Sequence, residues 1–93
     1  MTAGDRRMFR YEIPVDDDKH VIPLSHDPVA VAASWTGFAP FVEFWAEHTD
    51  SAPQARRAFR VFGTGQPLPE DARWVGTCPR TEGLVWHLYE VQP

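Results

Sequence analysis

The stretch FVEFWAEH, from Phe41 to His48, decides how this chain is expected to fold. Apolar side chains occupy every second position in its centre, namely Val42, Phe44 and Ala46. The positions between and after them carry a tryptophan with a glutamate on each side, namely Glu43, Trp45 and Glu47. A period of two is typical of a strand with one buried face. The stretch therefore predicts a β-strand with Trp45 on its polar side.

Strand patterns also occur on both sides of this stretch. The alternating or apolar runs are MFRYEIPV (8–15), HVIPL (20–24), VAVAASW (29–35), RAFRVFG (57–63), RWVGTC (73–78) and GLVWHLYEV (83–91). The last run is apolar on both faces, which is typical of a central strand. Polar and proline-containing turns separate the runs. About seven short strands predict an all-β, mainly antiparallel fold, either a small sandwich or a partly open barrel.

The predicted core comes from the inward positions of these strands. It consists of Tyr11, Val31, Phe44, Phe59, Val61, Trp86 and Leu88. The chain has 93 residues, of which 43% are hydrophobic. Two domains would each bury too little apolar surface, so one is expected. We predict a flexible N-terminal tail at residues 1–7 and a single β-rich domain at residues 8–93.

Charge and cysteine content narrow the classes of partner. The net charge of −4 gives no general attraction for polyanions, so nucleic acid is disfavoured as a partner. The single cysteine, Cys78, excludes an intramolecular disulfide and fits a reducing compartment. No apolar run approaches the roughly 18 residues of a membrane span, so we predict a cytoplasmic protein without a membrane partner. Uncharged sheet edges would favour pairing with a second copy, hence a homo-oligomer.

Several short motifs carry a resemblance to a known family. They are YEIPVDD, DPVAVAA, VEFWA, LVWHL and, most specific, FRVFGTGQPLP at residues 59–69. From Tyr11 to about Leu88 the chain resembles a family of small proteins of unknown function from actinobacteria and their bacteriophages. The resemblance implies no catalytic residue and no cofactor. It implies an accessory gene of a phage or prophage, expressed in the cytoplasm of the bacterial host.

We predict a non-enzymatic protein that binds another protein, either a host factor or a second copy. An indole on a polar strand face, such as Trp45, is typical of an interface anchor, although a loop that folds over such an indole is the more common arrangement. Arginines on a neighbouring strand would pair with carboxylates of the partner. The residues predicted for this interface are Trp35, Phe38, Glu43, Trp45, Glu47, Arg56, Arg57 and Arg60.

Two other functions stay open at this point. Single-stranded nucleic acid could bind a basic and aromatic cluster made of Arg56, Arg57, Arg60 and Phe62. A small ligand or nucleotide could bind the loop between Gly63 and Pro69, although its glycine spacing is not that of a phosphate-binding loop. We interpret this loop instead as a stiff crossing between two strands. The histidines lie in separate segments, so no metal site is predicted.

Overall fold

The computed structural model describes residues 5–36, 39–79, 83 and 85–93. Within them the chain forms seven strands: β1 (Arg6–Pro14), β2 (His20–Leu24), β3 (Pro28–Thr36), β4 (Ala39–Thr49), β5 (Ala55–Gly63), β6 (Arg73–Thr77) and β7 (Trp86–Val91). The described part of the chain contains no helix long and apolar enough to cross a membrane.

The strands form two separate antiparallel sheets. One has three strands in the order β1-β4-β3, and the other has four in the order β2-β5-β7-β6. Contacts between β1 and β5 and between β3 and β6 join the two sheets. This confirms the predicted all-β antiparallel fold, with the sandwich as the observed arrangement. The predicted central position of the last strand is also confirmed, since β7 lies between β5 and β6.

Some strand boundaries differ from the predicted ones. β1 begins at Arg6, two residues earlier than expected, because the 11-residue β4 offers it pairing partners as far as Thr49. The backbone N–H of Asp50 also donates to the Asp5 carbonyl (3.1 Å), which holds the chain in place before the strand. Residues 1–4 lie outside the described residues, so the N-terminal tail stays a prediction. β7 begins at Trp86, three residues after the start of the predicted run.

The core lies between the two sheets, where inward positions of both meet. Its buried cluster contains Ile13, Leu24, Val42, Phe44, Ala46, Phe59, Val61, Cys78 and Leu88. Four of the seven predicted core residues belong to it. The other three, Tyr11, Val31 and Trp86, are half-buried and pack against its margin. At one margin β6 approaches β3 so closely that a Cβ on Gly76 would lie 2.6 Å from a methyl carbon of Val31.

Candidate functional site

The alternation in β4 decides which side chains the three-stranded sheet presents outward. Val42, Phe44 and Ala46 are fully buried between the sheets. Because successive side chains of a strand point to opposite faces, their neighbours in β4 point away from the core. The predicted orientation of Trp45 is therefore confirmed, and Glu43 and Glu47 share its face.

Pairing with β1 places two arginines beside these glutamates. Residue Arg10 lies opposite Trp45, and its Nη1 donates to Glu43 Oε1 at 2.5 Å. Arg6 likewise forms an ion pair with Glu47, and its Nε lies 3.0 Å from Glu47 Oε1. Met8, between the two arginines on the same side of β1, is exposed. We call these six outward side chains the Trp45 face: Arg6, Met8, Arg10, Glu43, Trp45 and Glu47.

The hydrogen-bonding state of Trp45 distinguishes it from the other tryptophan on an outer face. Trp74, on β6, is 62% exposed, and its indole N–H donates to Thr77 Oγ1 at 2.9 Å. Trp45 is half-buried, and no acceptor among the described residues lies within hydrogen-bond distance of its indole N–H. The Trp45 N–H is not among the buried polar atoms of the described residues that lack a partner, so it is open to solvent and can donate to an acceptor of another molecule. The Trp45 face therefore offers a partner both apolar area and an unused donor.

The third strand of this sheet keeps the space beside Trp45 open. Ala30 of β3 lies opposite Trp45, and Ala32 lies opposite Glu43. Both are small side chains, which leave the indole standing above its neighbours. The outer side of the three-stranded sheet thus has Trp45 at its centre, small side chains toward β3 and charged groups toward β1.

Of the other predicted interface residues, the three arginines lie outside this face. Trp35 lies in β3 opposite Pro40, its side chain is outside what the structure describes, and Phe38 is not among the described residues. Arg56, Arg57 and Arg60 lie in β5, which belongs to the other sheet. Of the eight predicted residues, the structure therefore brings together Glu43, Trp45 and Glu47.

Arg57 is bound within its own chain. Its Nε and Nη2 each donate to a carboxylate oxygen of Glu90 at 2.8 Å, and its Nη1 donates to Asp27 at 2.7 Å. Arg73 of β6 donates to the same Glu90 at 2.8 Å. We call these four residues the Glu90 cluster: Asp27, Arg57, Arg73 and Glu90. The two positive and two negative charges of the cluster cancel. The adjoining cleft, of about 270 Å³, is therefore lined by no unpaired charge from this cluster.

These bonds shift the pKa values of both central groups. Hydrogen bonds from Arg57 and then Arg73 lower the pKa of Glu90 to about 2, although burial opposes the shift. The hydrogen bond to Glu90 raises the pKa of Arg57, again against burial. The cluster connects β5, β6 and β7 with the residue preceding β3. We interpret it as a clasp at one end of the sandwich.

The geometry of β5 does not form the basic and aromatic surface considered for nucleic acid. Arg56 and Arg57 are successive strand residues, so their side chains lie on opposite faces. Phe62 is 0% exposed, and the Arg60 guanidinium lies 4.5 Å from its ring centroid. Tyr89 packs edge-on against the same ring. The phenyl ring is therefore covered and offers no surface for base stacking.

The loop after β5 is a crossing, in agreement with its structural interpretation. β5 and β6 are each antiparallel to β7, which lies between them, so they are parallel to each other. A tight hairpin cannot join parallel strands, and residues 64–72 must run back past β7. Gly65 has a φ of 87° at the start of this crossing, a value that favours glycine.

Polar groups within the crossing are already bonded. The backbone N–H of Gly63 donates to the Gln66 side-chain oxygen at 3.0 Å, and the Gln66 N–H donates to the Gly63 carbonyl at 3.1 Å. Thr64 Oγ1 lies 2.8 Å from a ring nitrogen of His87. The cavity between crossing and sheet has a volume of about 150 Å³. This volume is smaller than the roughly 300 to 1,000 Å³ that is usual for small-molecule pockets.

A comparison with known families covers almost the whole chain. A family model described as a domain of unknown function, DUF7352, matches residues 5–93. The chain belongs to DUF7352. No curated protein and no solved structure matches it significantly. The match includes all seven strands of this DUF7352 domain and the crossing that contains FRVFGTGQPLP.

Neither metal ligands nor an activated thiol are evident in the DUF7352 domain as described. Among the residues that the structure covers, no three His, Cys, Asp or Glu side chains are grouped so as to hold a metal ion. Cys78 is 1% exposed, and burial raises the pKa of its thiol. A buried thiol with a raised pKa is not a ready nucleophile. Cys78 packs as a core residue.

Sequence reasoning missed the residues that β1 contributes to the Trp45 face. Its alternation places Phe9, Tyr11 and Ile13 on the inner side, which leaves Arg6, Met8 and Arg10 outward. These residues lie beside β4 because β1 pairs with it, and the order of strands in a sheet cannot be deduced from the periodicity of single strands. The Glu90 cluster was missed for the same reason, because its members are 16 to 63 positions apart in the DUF7352 sequence.

Proposed function

We propose that this DUF7352 domain is a non-enzymatic protein-binding module whose Trp45 face contacts another protein. The observation that carries the proposal is the half-buried Trp45 indole, whose N–H has no acceptor among the described residues, on an open sheet face. Tryptophan is enriched among the residues that dominate binding energy, and such residues are typically surrounded by polar groups. Around Trp45, these polar groups are the ion pairs Arg6–Glu47 and Arg10–Glu43.

The charges of the face indicate the chemistry of the partner. The side chains of Arg6 and Arg10 are 62% and 53% exposed, although each is bound to a glutamate. A guanidinium has five N–H donors, so donors remain on both. The indole N–H adds one more. We therefore expect the partner to place an apolar group over Trp45, a hydrogen-bond acceptor at its N–H, and carboxylates near the two arginines.

The biological setting is part of the proposal. The resemblance to proteins of actinobacteria and their phages supports an accessory protein that binds a factor of the bacterial host. The reducing compartment suggested by the single cysteine supports the host cytoplasm as its location. The crossing motif FRVFGTGQPLP is the sequence feature that carries this resemblance.

A photo-crosslinking experiment tests the proposal. Benzoylphenylalanine replaces Met8 in one variant and Val21 in another; Val21 is exposed on β2 of the opposite sheet. Each variant is expressed in an actinobacterial host and irradiated. We expect the Met8 variant to crosslink to a discrete host protein and the Val21 variant not to crosslink to it. A host protein captured equally from both positions would contradict the proposed face.

Tryptophan substitutions then test the proposed anchor. The captured protein is purified and titrated with the wild type, Trp45→Ala and Trp74→Ala. Removal of a central aromatic anchor typically costs 2 kcal/mol or more, so we expect Trp45→Ala to weaken binding about 30-fold or more. Trp74→Ala is the matched control, because it removes a more exposed indole from the other sheet. Equal affinity of wild type and Trp45→Ala would refute the role of Trp45.

A further inference from the structure

The four sheet edges differ in how well they are protected against pairing with another strand. Natural edge strands are usually short or carry charges, proline or bulges. β2 and β6 have five residues each, and β2 contains Pro23. β1 has nine residues but carries several charges, namely Arg6, Arg7, Arg10 and Glu12. β3 also has nine residues and carries no charge, and its proline is its first residue.

The outer edge of β3 is open in the described structure. Residues 28–34 pair with β4 on one side, and no other described strand is hydrogen-bonded to them. None of these residues is fully buried. A register shift between Pro28 and Ala30 disturbs only the start of the strand. From Ala30 onward the edge therefore presents a regular row of N–H and C=O groups without a strand to receive them.

We propose that β3 pairs antiparallel with β3 of a second copy, which joins the two three-stranded sheets into one sheet of six strands. The chemistry of the edge favours a second copy as the occupant. A two-fold axis normal to the sheet makes such a contact self-complementary, because the same residues face each other in both directions. The side chains that meet are small and uncharged, so no like charges are brought together. They are Ala30, Val31, Ala32, Ala33 and Ser34.

This pairing is independent of the partner proposed for the Trp45 face. A two-fold axis normal to the sheet keeps both outer faces on the same side. The six-stranded sheet would then present two Trp45 faces together, each open to its own partner. Five pairing residues per copy bury less area than a standard stable interface, so we expect dissociation constants on the order of micromolar or weaker.

Sedimentation equilibrium of the intact protein from 5 to about 500 μM tests the pairing. We expect the wild type to shift from monomer to dimer across this range. Ala32→Lys places a charge on the edge, where lysine disfavours pairing, and should remain monomeric. Val21→Lys places the same charge on the β2 edge and should dimerise like the wild type. A wild type that is monomeric throughout, or dimerisation of Ala32→Lys equal to that of the wild type, would overturn the proposal.

Amide hydrogen exchange separates edge pairing from other contacts between copies. If β3 pairs, alternate amides among residues 30–34 gain protection as the concentration rises, whereas the amides on the outer edge of β1 do not. Dimerisation without this protection would overturn the proposal. Trp45→Ala should dimerise normally, since the indole does not lie on the edge. Loss of the dimer in that variant would indicate that the copies pack through the Trp45 face. That result would also overturn the proposed pairing of β3.

Discussion

The Glu90 cluster makes stability depend on pH in a direction that the structure fixes. Two arginines hold the carboxylate of Glu90, whose pKa falls from the ordinary 4.5 to about 2. A carboxyl group with a lowered pKa in the folded state stabilises the fold above its unfolded pKa. That contribution is complete above about pH 5 and is lost as the pH falls through 4.5 toward 2. The substitution that removes it with least change of shape is Glu90→Gln.

The size of the effect follows from the two pKa values. One pKa unit corresponds to about 1.4 kcal/mol, so the full contribution is about 3 kcal/mol at neutral pH. The Glu90 side chain is 15% exposed and that of Arg57 16%, so screening by solvent is limited. Between pH 6 and pH 3 the contribution should fall by about 2 kcal/mol. This fall is independent of any hydrogen bonds that the glutamine itself retains.

Urea unfolding of the wild type and Glu90→Gln at pH 6, 5, 4 and 3 measures the effect. We expect the wild type to be the more stable at pH 6, with its advantage shrinking by about 2 kcal/mol at pH 3. Glu12→Gln is the control, because Glu12 forms an exposed ion pair with Arg10 at 3.4 Å. Exposed pairs contribute about 0 to 1 kcal/mol, so its curve should stay nearly parallel to that of the wild type.

One result would refute the reasoning about the clasp. If the difference in free energy of unfolding between wild type and Glu90→Gln is the same at pH 3 and pH 6, the pKa of Glu90 is the same in the folded and the unfolded state. The carboxylate would then not be held by Arg57 and Arg73 in the folded protein. A similar pH dependence in Glu12→Gln would instead show that general charge effects dominate.

Two further predictions follow from close packing in the sandwich. Gly76→Ala should destabilise the fold by about 1 to 3 kcal/mol in urea unfolding, because the new Cβ would lie 2.6 Å from a Val31 methyl carbon. Adding Val31→Ala should relieve this clash, and simple additivity of the two effects would contradict the contact. The Cys78 thiol, buried with a raised pKa, should react with a disulfide reagent only as fast as the protein opens. Reaction of the native protein at the rate of the urea-unfolded chain would exclude that burial.

The fold was largely predictable because strand periodicity and turn residues are local properties. The alternation in β4 predicted both its buried face and the outward position of Trp45. The pairing order was not predictable, since contacts such as β1 with β4 join residues 27 to 43 positions apart. The ends of strands also depended on the neighbouring strand in the sheet. β1 extends to Arg6 because β4 is long enough to pair with it.

The candidate site was predictable only where it lies on one strand. Glu43, Trp45 and Glu47 belong to a single alternation, and the prediction grouped them. Arg57 was expected to reach an external carboxylate, but it binds Glu90, which the register of β5 with β7 brings close to it. The pairing of Arg57 with a carboxylate was thus predicted. Which carboxylate it binds depended on the register of β5 with β7.

The topology explains why the proposed binding surface lies on one sheet and not on the other. Phe62 points away from the core, since its neighbour Val61 points into it, yet Phe62 is fully buried. The crossing of residues 64–72 accounts for this, because Leu68 lines the same cavity as Phe62 and Tyr89. The parallel relation of β5 and β6 requires such a crossing. The three-stranded sheet consists of antiparallel neighbours and requires none, so its outer face stays open around Trp45. The most specific motif of the chain therefore lies at the closed face, and the open face is the surface that we propose for a partner.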